Sequence, residues 1–391
     1  MSPTGRLADF FDTYTKDLKA EDLQRLFTRD TREAYQFFAR HLDFAALDSL
    51  PRHRRWAGKL RLLFFAFTLR LSPARRVVYG AALFLAAIGM FELMRLRVAD
   101  ASVGYVTFIV PGVAVPSGAG SIIIAFVLMN LLVLLEVADR LSLKNDLEIA
   151  REIQQAMLPS GIYRADGVET LGFSRPANTV GGDFYDILPL GDGRLVIAVG
   201  DVAGKGSPAA LLMALLLAMM RTLVDEKLEP AELMTRLNVQ VSRHSPGSRF
   251  ITLFYGVFQP ATGELTYVNA GHMPPLVLRV DGTCQRLTDG GIALGMFDAS
   301  TYTAGHTLLR PNELVAVYSD GITEAESPAG QPFDEQGLES ALTTNRDSPL
   351  PAIGAAVVRA VEMHTADTRF ADDLTILLLR PSAPSAASLG V

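Results

Sequence analysis

Residues 178–206 read NTVGGDFYDILPLGDGRLVIAVGDVAGKG. The stretch holds two glycine-led aspartates, GGD at Gly181–Asp183 and GD at Gly200–Asp201. The second closes an apolar run, RLVIAVGDV (194–202), that reads as a β-strand. A carboxylate at a strand end sits on a rigid scaffold yet faces solvent, which suits a metal ligand. A neighbouring glycine lets the backbone come close, so that a carbonyl can bind as well. Asp183 therefore belongs either to a glycine loop that handles a nucleotide or to the start of a metal centre, and residues farther away decide between them.

The same local setting recurs at Asp320 (VYSDG) and at Asp372–Asp373 (RFADDLTILLL). Taken singly, a strand followed by Asp-Gly is usually only a turn, and an Asp pair can simply cap a strand. Four such sites make a stronger joint case for one centre. With no His or Cys among them, the donors favour a hard cation, Mg²⁺ or Mn²⁺. If these carboxylates converge, they cannot all stay ionised without one. GDVAGKGS fails as a P-loop, because Gly200 to Gly204 is one residue short and Gly206 separates Lys205 from Ser207. Ser207 reads as a helix cap with Pro208 at the first helical position, not as a nucleophile. His272, in NAGHMPP, reads first as a hydrogen-bonding turn residue and second as a proton donor or substrate contact. Arg249 reads as a surface cation before it reads as a phosphate clamp.

Around these aspartates the chain is strand-rich. RFITLFYGVF (249–258), GELTYVNAG (263–271), PLVLRV (275–280), ELVAVYSDG (313–321) and LTILLLR (374–380) predict further strands, bounded by turn pairs such as Thr262–Gly263 and Asp281–Gly282. Residues 207–244 predict two helices broken near Glu229–Pro230, and a last helix is expected near 350–364. The apolar stretch 209–220 is too short to cross a bilayer and reads as a buried helix. This order predicts an α+β fold with helices covering sheets.

Upstream the texture differs. Residues 1–50 mix charged and apolar residues at helical spacing and carry no recognisable chemistry. Residues 52–76 contain eight Lys/Arg and no acid, followed by apolar runs at 77–91 and 121–135. Each run is about 15 residues, extendable by its flanks towards the ~20 of a membrane span. The basic block before the first run, and a loop at 98–120 without Lys or Arg, place both ends of the pair in the cytoplasm. YVTFIVPGVAV (105–115) reads as a segment able to dip into the membrane, and residues 1–30 lack the apolar core of a cleavable signal. Leu143, Leu147, Ala150, Ile153 and Met157 then form one apolar helix stripe, read as a signalling or dimerising linker that stops at Pro159–Gly161.

The bulk numbers agree. A hydrophobic fraction of 49% and a mean hydropathy of +0.24 are high for a soluble enzyme, while net charge −6 and pI 5.6 argue against a nucleic-acid binder. The single Cys284 allows no intrachain disulfide and suits a reducing compartment.

Seven collinear motifs, AREIQQAMLP (150–159), GGDFYD (181–186), GDVAGKG (200–206), FITLFYG (250–256), YVNAGHMPP (267–275), YSDGITEA (318–325) and ADDLTIL (371–377), resemble the SpoIIE/RsbU branch of the PPM metal-dependent phosphatases, relatives of protein phosphatase 2C. The resemblance covers roughly 150–381 and implies an α-β-β-α sandwich of two antiparallel sheets flanked by helices. It further implies two Mn²⁺ or Mg²⁺ ions that activate a water for in-line attack on phosphorus. By position Asp201 would bridge both ions with the Val202 carbonyl, Asp320 and Asp372 would complete one site, and Asp183 would serve the other. Asp186, Asp373, Gly321 and His272 would support them. YSDG stands for the more usual YTDG, and Phe333–Asp334 for the usual Phe-Gly. The implied substrate is a phosphorylated STAS-type anti-sigma-factor antagonist. The resemblance does not reach residues 1–135; joined to the upstream reading, it gives an expected arrangement of an N-terminal region (1–76), two membrane helices (77–138), a linker (139–160), a phosphatase domain (161–381) and a disordered tail (382–391). With it come the inner membrane as location, a cytoplasmic catalytic domain, and a homodimer through the linker. A catalytically dead module that holds an antagonist protein is opposed by the intact aspartates. A GGDEF-type nucleotide cyclase is opposed by Phe184, which stands where that loop needs an acid.

Overall fold

A computed structural model describes residues 51–69, 71–102, 118–165, 167–245, 249–366 and 370–382. The expected arm at 1–50, the segment 105–115 and almost all of the tail lie outside them. The chain divides into two units, Met1–Leu141 and Ser142–Val391.

In the first unit the basic block folds as a helix, α1 (Arg52–Thr68), which the sequence had suggested only as a juxtamembrane segment. The two apolar runs lie within α2 (Pro73–Ser102) and α3 (Ala119–Met157). At 30 and 39 residues these exceed the apolar runs because their charged flanks are helical too. The second run and the linker are thus one unbroken helix. Arg75 at the start of α2 pairs with Glu136 at 3.3 Å and Asp139 at 2.8 Å on α3. Farther along, Gly89 and Gly118 let α2 meet the start of α3 backbone to backbone, since a Cβ on Gly118 would stand 2.3 Å from the Gly89 carbonyl. Phe84, Phe91, Ile123, Phe126 and Leu134 are exposed.

The second unit contains β1 (Ile162–Ala165), β2 (Val168–Arg175), β3 (Phe184–Pro189), β4 (Leu195–Val202), α4 (Ser207–Val224), α5 (Pro230–His244), β5 (Ile251–Gln259), β6 (Glu264–Ala270), β7 (Leu276–Leu278), β8 (Cys284–Arg286), β9 (Gly290–Gly291), β10 (Gly305–Leu308), β11 (Leu314–Tyr318), α6 (Asp320–Thr323), α7 (Asp334–Asn345), α8 (Leu350–Thr365) and β12 (Leu374–Pro381). One sheet runs β1-β2-β12-β11-β7-β8 and the other β10-β6-β5-β4-β3, with β9 added in parallel beside β6. All other pairings are antiparallel.

Four layers follow from which side chains each strand buries. Along β4, Val196, Ala198 and Val202 join Leu212, Met213, Leu216 and Leu237 in a core under α4 and α5. The alternate residues Leu195, Ile197 and Val199 meet Val315, Val317, Leu377 and Leu379 of the facing sheet. Leu314, Ala316, Ile376 and Leu378 then pack under α7 and α8 with Leu338, Leu342, Ile353 and Val357. Both faces of these strands are covered, so their apolar runs are unbroken instead of alternating. Among the described residues, three helices are long and apolar enough to cross a membrane, in α2, α3 and α4. α4 is a domain helix, its Leu212, Met213, Leu216, Leu217 and Met220 being buried in the first core.

Candidate metal centre

The hairpin β3–β4 sets the site. Phe184 faces Gly200 in the register, so one step outward brings Asp183 opposite Asp201. The glycines are steric requirements of that approach. A Cβ on Gly200 would stand 2.4 Å from the Phe184 ring. One on Gly182 would lie 2.9 Å from the Val202 carbonyl and 3.1 Å from Asp201 Oδ1. GGD and GD are thus two halves of one close contact.

The facing sheet delivers the other acids at the corresponding edge. Tyr318 pairs with Ile376, and beyond that pair the strand ends are stitched together. The Ser319 N–H donates to the Thr375 carbonyl at 3.0 Å, and the Ser319 hydroxyl donates to the Asp373 carbonyl at 3.1 Å while accepting from the Thr375 N–H at 3.0 Å. Gly321 follows Asp320 because a Cβ there would stand 2.1 Å from the Asp373 carbonyl.

Electrostatics confirm that the acids share one field. Burial, then the charge of Asp201, raises Asp183 well above the usual carboxylate range. Burial, then Asp320 and with it Asp372 and Asp373, pushes Asp201 up to about 6. Asp320 is raised as well, by burial first and Asp372 second. Asp183 Oδ2 is buried without a hydrogen-bond partner. Among the described residues no three Asp, Glu, His or Cys side chains already enclose one ion position. Hard divalent ions of the Mg²⁺ type take one or two protein carboxylates and complete their shell with carbonyls and water. The carboxylates, the Val202 carbonyl beside Asp201 and the orphaned Asp183 oxygen fit that demand.

Adjacent Asp372 and Asp373 do different work. Asp373 is buried and accepts from the N–H groups of Gly182 at 2.7 Å, Ala177 at 2.8 Å and Asp183 at 3.4 Å. It fastens the GGD loop of one sheet to the strand end of the other. Asp372 is half exposed, its Oδ1 accepting from the Asp373 N–H at 3.0 Å and its Oδ2 pairing with Lys205 at 2.8 Å. Lys205 Nζ also donates to the Ala371 carbonyl at 2.9 Å. Lys205, Gly321, Glu324, Phe370 and Asp372 line a cleft of about 440 Å³.

Other expected residues are placed differently. Asp186 does not join the cluster. It is fully buried on the α4 side of β3, gripped by Arg221 at 2.7 and 3.2 Å, and Arg221 also donates to the Met157 carbonyl at 2.7 Å. His272 is buried behind Asp201, its Nδ1 3.0 Å from the Thr252 hydroxyl, which lies 3.5 Å from the Asp201 carbonyl. Burial holds its pKa down at about 4, and this enclosed position fits the turn role, not proton donation. Ser207 makes no capping bond; the cap of α4 is Gly206, at φ 77°. Arg249 is half-buried against Gly204 and its Nη1 is buried without a partner, so it is not a plain surface cation.

Sequence reasoning missed Gln154. The 143–157 stripe straddles two faces: Leu147, Ala150 and Met157 are half-buried, Leu143 and Ile153 are largely exposed, and Gln154 is buried against Gly181. The available signal was a polar residue inside a quoted motif, AREIQQAMLP, whose apolar neighbours drew the reading instead.

Residues 191–382 match the family model described as Stage II sporulation protein E (SpoIIE). Protein IcfG of Synechocystis is 33% identical over 227 residues, 51% of this chain and 36% of IcfG. Phosphoserine phosphatase RsbU of Bacillus subtilis is 27% identical over 242 residues, 61% of this chain and 70% of RsbU. The chain thus spans little more than a third of IcfG. The SiaA-PP2C domain of Pseudomonas aeruginosa superposes with a TM-score of 0.54 at 23% identity, covering 62% of this chain and 98% of that domain, which establishes a shared fold.

Proposed function

We propose that this chain, which belongs to the SpoIIE/RsbU type of PPM phosphatases, is a membrane-anchored, metal-dependent protein serine/threonine phosphatase. The observation that carries the reading is the convergence of strand-end aspartates from both sheets on one edge, with Asp183 opposite Asp201. Asp201 with the Val202 carbonyl would hold two Mn²⁺ or Mg²⁺ ions, Asp320 and Asp372 completing one site and Asp183 the other. When bound, such ions supply an activated water and screen the phosphate charge. The residues of the chain hold the carboxylates in place: Asp373 fixes the GGD loop, Gly182 and Gly321 permit close approach, and Thr252 and His272 back Asp201.

The substrate is a phosphoserine or phosphothreonine on a small STAS-type regulator in partner-switching signalling, a reading supported by the likeness to RsbU. α2 and α3 cross the inner membrane as a pair within 77–138, with the catalytic domain, 161–381, in the cytoplasm. The linker, 139–160, pairs two copies through the exposed Leu143, Ile149 and Ile153 of α3. The test is Mn²⁺-dependent hydrolysis of a chromogenic phosphoester by the full chain in detergent, beside Asp201→Asn. Hydrolysis that survives Asp201→Asn would refute the metal assignment, and no hydrolysis by the unsubstituted chain at any Mn²⁺ concentration would refute the enzyme.

A further inference from the structure

We propose that α1 lies flat on an anionic lipid surface, as an interfacial helix seated beside the first turns of α2. The proposal rests on the reading of α2 as a membrane span. Three observations carry it.

The first is the face. Trp56, Phe64 and Phe67 stand at i, i+8 and i+11, one side of a helix, and all three are exposed, Trp56 by 70%. A monomeric soluble surface does not normally show so many large aromatic groups together. The second is depth. Phe64 and Phe67 lie 6.1 and 5.6 Å from the ring of Tyr79, centroid to centroid, and Tyr79 is in the second turn of α2. The aromatic face of α1 is therefore level with the beginning of the apolar helix. Aromatic residues gather at that level of a bilayer, where an apolar ring body and the wet headgroup zone meet.

The third is charge. α1 carries Arg52, Arg54, Arg55, Lys59 and Arg61 with no acid, and Arg70, Arg75 and Arg76 follow before α2 is two turns long. Arg54 and Arg61 are exposed and have no acidic partner among the described residues. At 100° per residue they fall on the flank of the aromatic face, where arginines reach phosphate while the rings enter the boundary. A cytoplasmic leaflet rich in phosphatidylglycerol is the complementary partner. A protein groove is the other conceivable cover, and the test separates the two.

Trp56 is the only tryptophan in the chain, so its fluorescence reports on α1 alone. The full chain is reconstituted into vesicles of phosphatidylcholine with or without phosphatidylglycerol, and its emission is quenched by lipids brominated near the headgroup end of the acyl chain or by aqueous iodide. The expected result is blue-shifted emission, strong bromolipid quenching and weak iodide quenching in anionic vesicles. Each neutralised arginine, in Arg54→Gln and Arg61→Gln, should lower partition into the anionic surface by about fivefold. Trp56 that stays open to iodide and untouched by bromolipid overturns the proposal. So does a Trp56 shielded from both, which would place it in protein, or lipid quenching indifferent to phosphatidylglycerol and to the arginines. Failure of the membrane reading looks different: the chain would then leave the vesicles on alkaline washing.

Discussion

Gln154 grips the Gly181 peptide from both sides, its Nε2 donating to the Gly181 carbonyl at 2.8 Å and its Oε1 accepting from the Gly181 N–H at 3.2 Å. Asp183 is two residues further on. Close by, the Tyr185 hydroxyl donates to the Pro159 carbonyl at 2.7 Å and Arg221 joins the Met157 carbonyl to Asp186. The end of α3 and Pro159, two residues beyond it, are thus tied to positions 181, 185 and 186, on either side of a candidate ligand.

That tie predicts a divided effect for Gln154→Ala. Two buried peptide groups lose their partners, a loss of about 1–3 kcal/mol. Because the loop that carries Asp183 is the part released, Mn²⁺ affinity and phosphoester hydrolysis should fall more steeply than thermal stability. Titration calorimetry beside a melting curve separates the two. Unchanged Mn²⁺ affinity with a lowered melting point would make Gln154 an ordinary packing residue.

Asp373 should tolerate one change and not another. Asp373→Ala leaves the buried Gly182 N–H and the half-buried Ala177 N–H without an acceptor, a loss of about 1–3 kcal/mol. Asp373→Asn keeps one acceptor oxygen and should recover at least half of that loss, as read by thermal unfolding. If both variants are equally stable, the loop does not depend on the carboxylate.

Lys205 predicts a gain. Asp372 Oδ2 already carries the Lys205 ammonium at 2.8 Å, and a divalent ion at Asp372 must share that carboxylate with a like charge. Lys205→Met keeps the stem and removes the charge, so Mn²⁺ affinity should tighten by roughly two- to fivefold, a modest figure because the pair is about half exposed. A structural role for Lys205 would have the opposite sign, with weaker Mn²⁺ binding in the variant.

How far the sequence reaches depends on what each signal is made of. The strands under two-sided burial, such as 195–202 and 374–381, are legible because covering both faces demands unbroken Val, Ile and Leu. β1 and β2 are not, since VETLGFSR alternates weakly against a polar edge. β10 and α7 likewise lack a run of apolar residues long enough to stand out. The strand-end aspartates are legible through their glycines, which are there for Cβ clearance at 182, 200 and 321. The separate jobs of Asp372 and Asp373 are not, because a one-residue step along a turn decides which carboxylate faces the cleft and which turns back onto the GGD loop. Asp186 misleads for the same reason: its position in GGDFYD suggests the centre, while strand alternation sends it to Arg221.

The acids also predict how the centre responds to pH. Burial, then the charge of Asp320, holds Asp201 at about 6, against about 3.9 for an unfolded aspartate. Between those values the folded protein keeps a proton that the unfolded chain has lost, so this residue makes stability fall as pH rises through that window. A divalent ion needs the charged carboxylates and must expel their protons, so Mn²⁺ affinity should rise with pH, the share due to Asp201 levelling off above about 6. Below that point one bound proton released per ion corresponds to about tenfold weaker binding per pH unit. In Asp201→Asn that part of the slope should disappear. The stability of the chelated protein should then lose the Asp201 share of its decline between about pH 4 and pH 6, while Asp183 and Asp320, also raised by burial, keep theirs and His272 works in the opposite direction. His272, held at about 4, takes up its proton less readily folded than unfolded and so favours folding as pH rises from about 4 to about 6.5. Calorimetry from pH 5 to pH 8 with matched melting curves measures both effects, and a Mn²⁺ affinity flat across pH 5–7 would show that no buried carboxylate must ionise for the ion to bind.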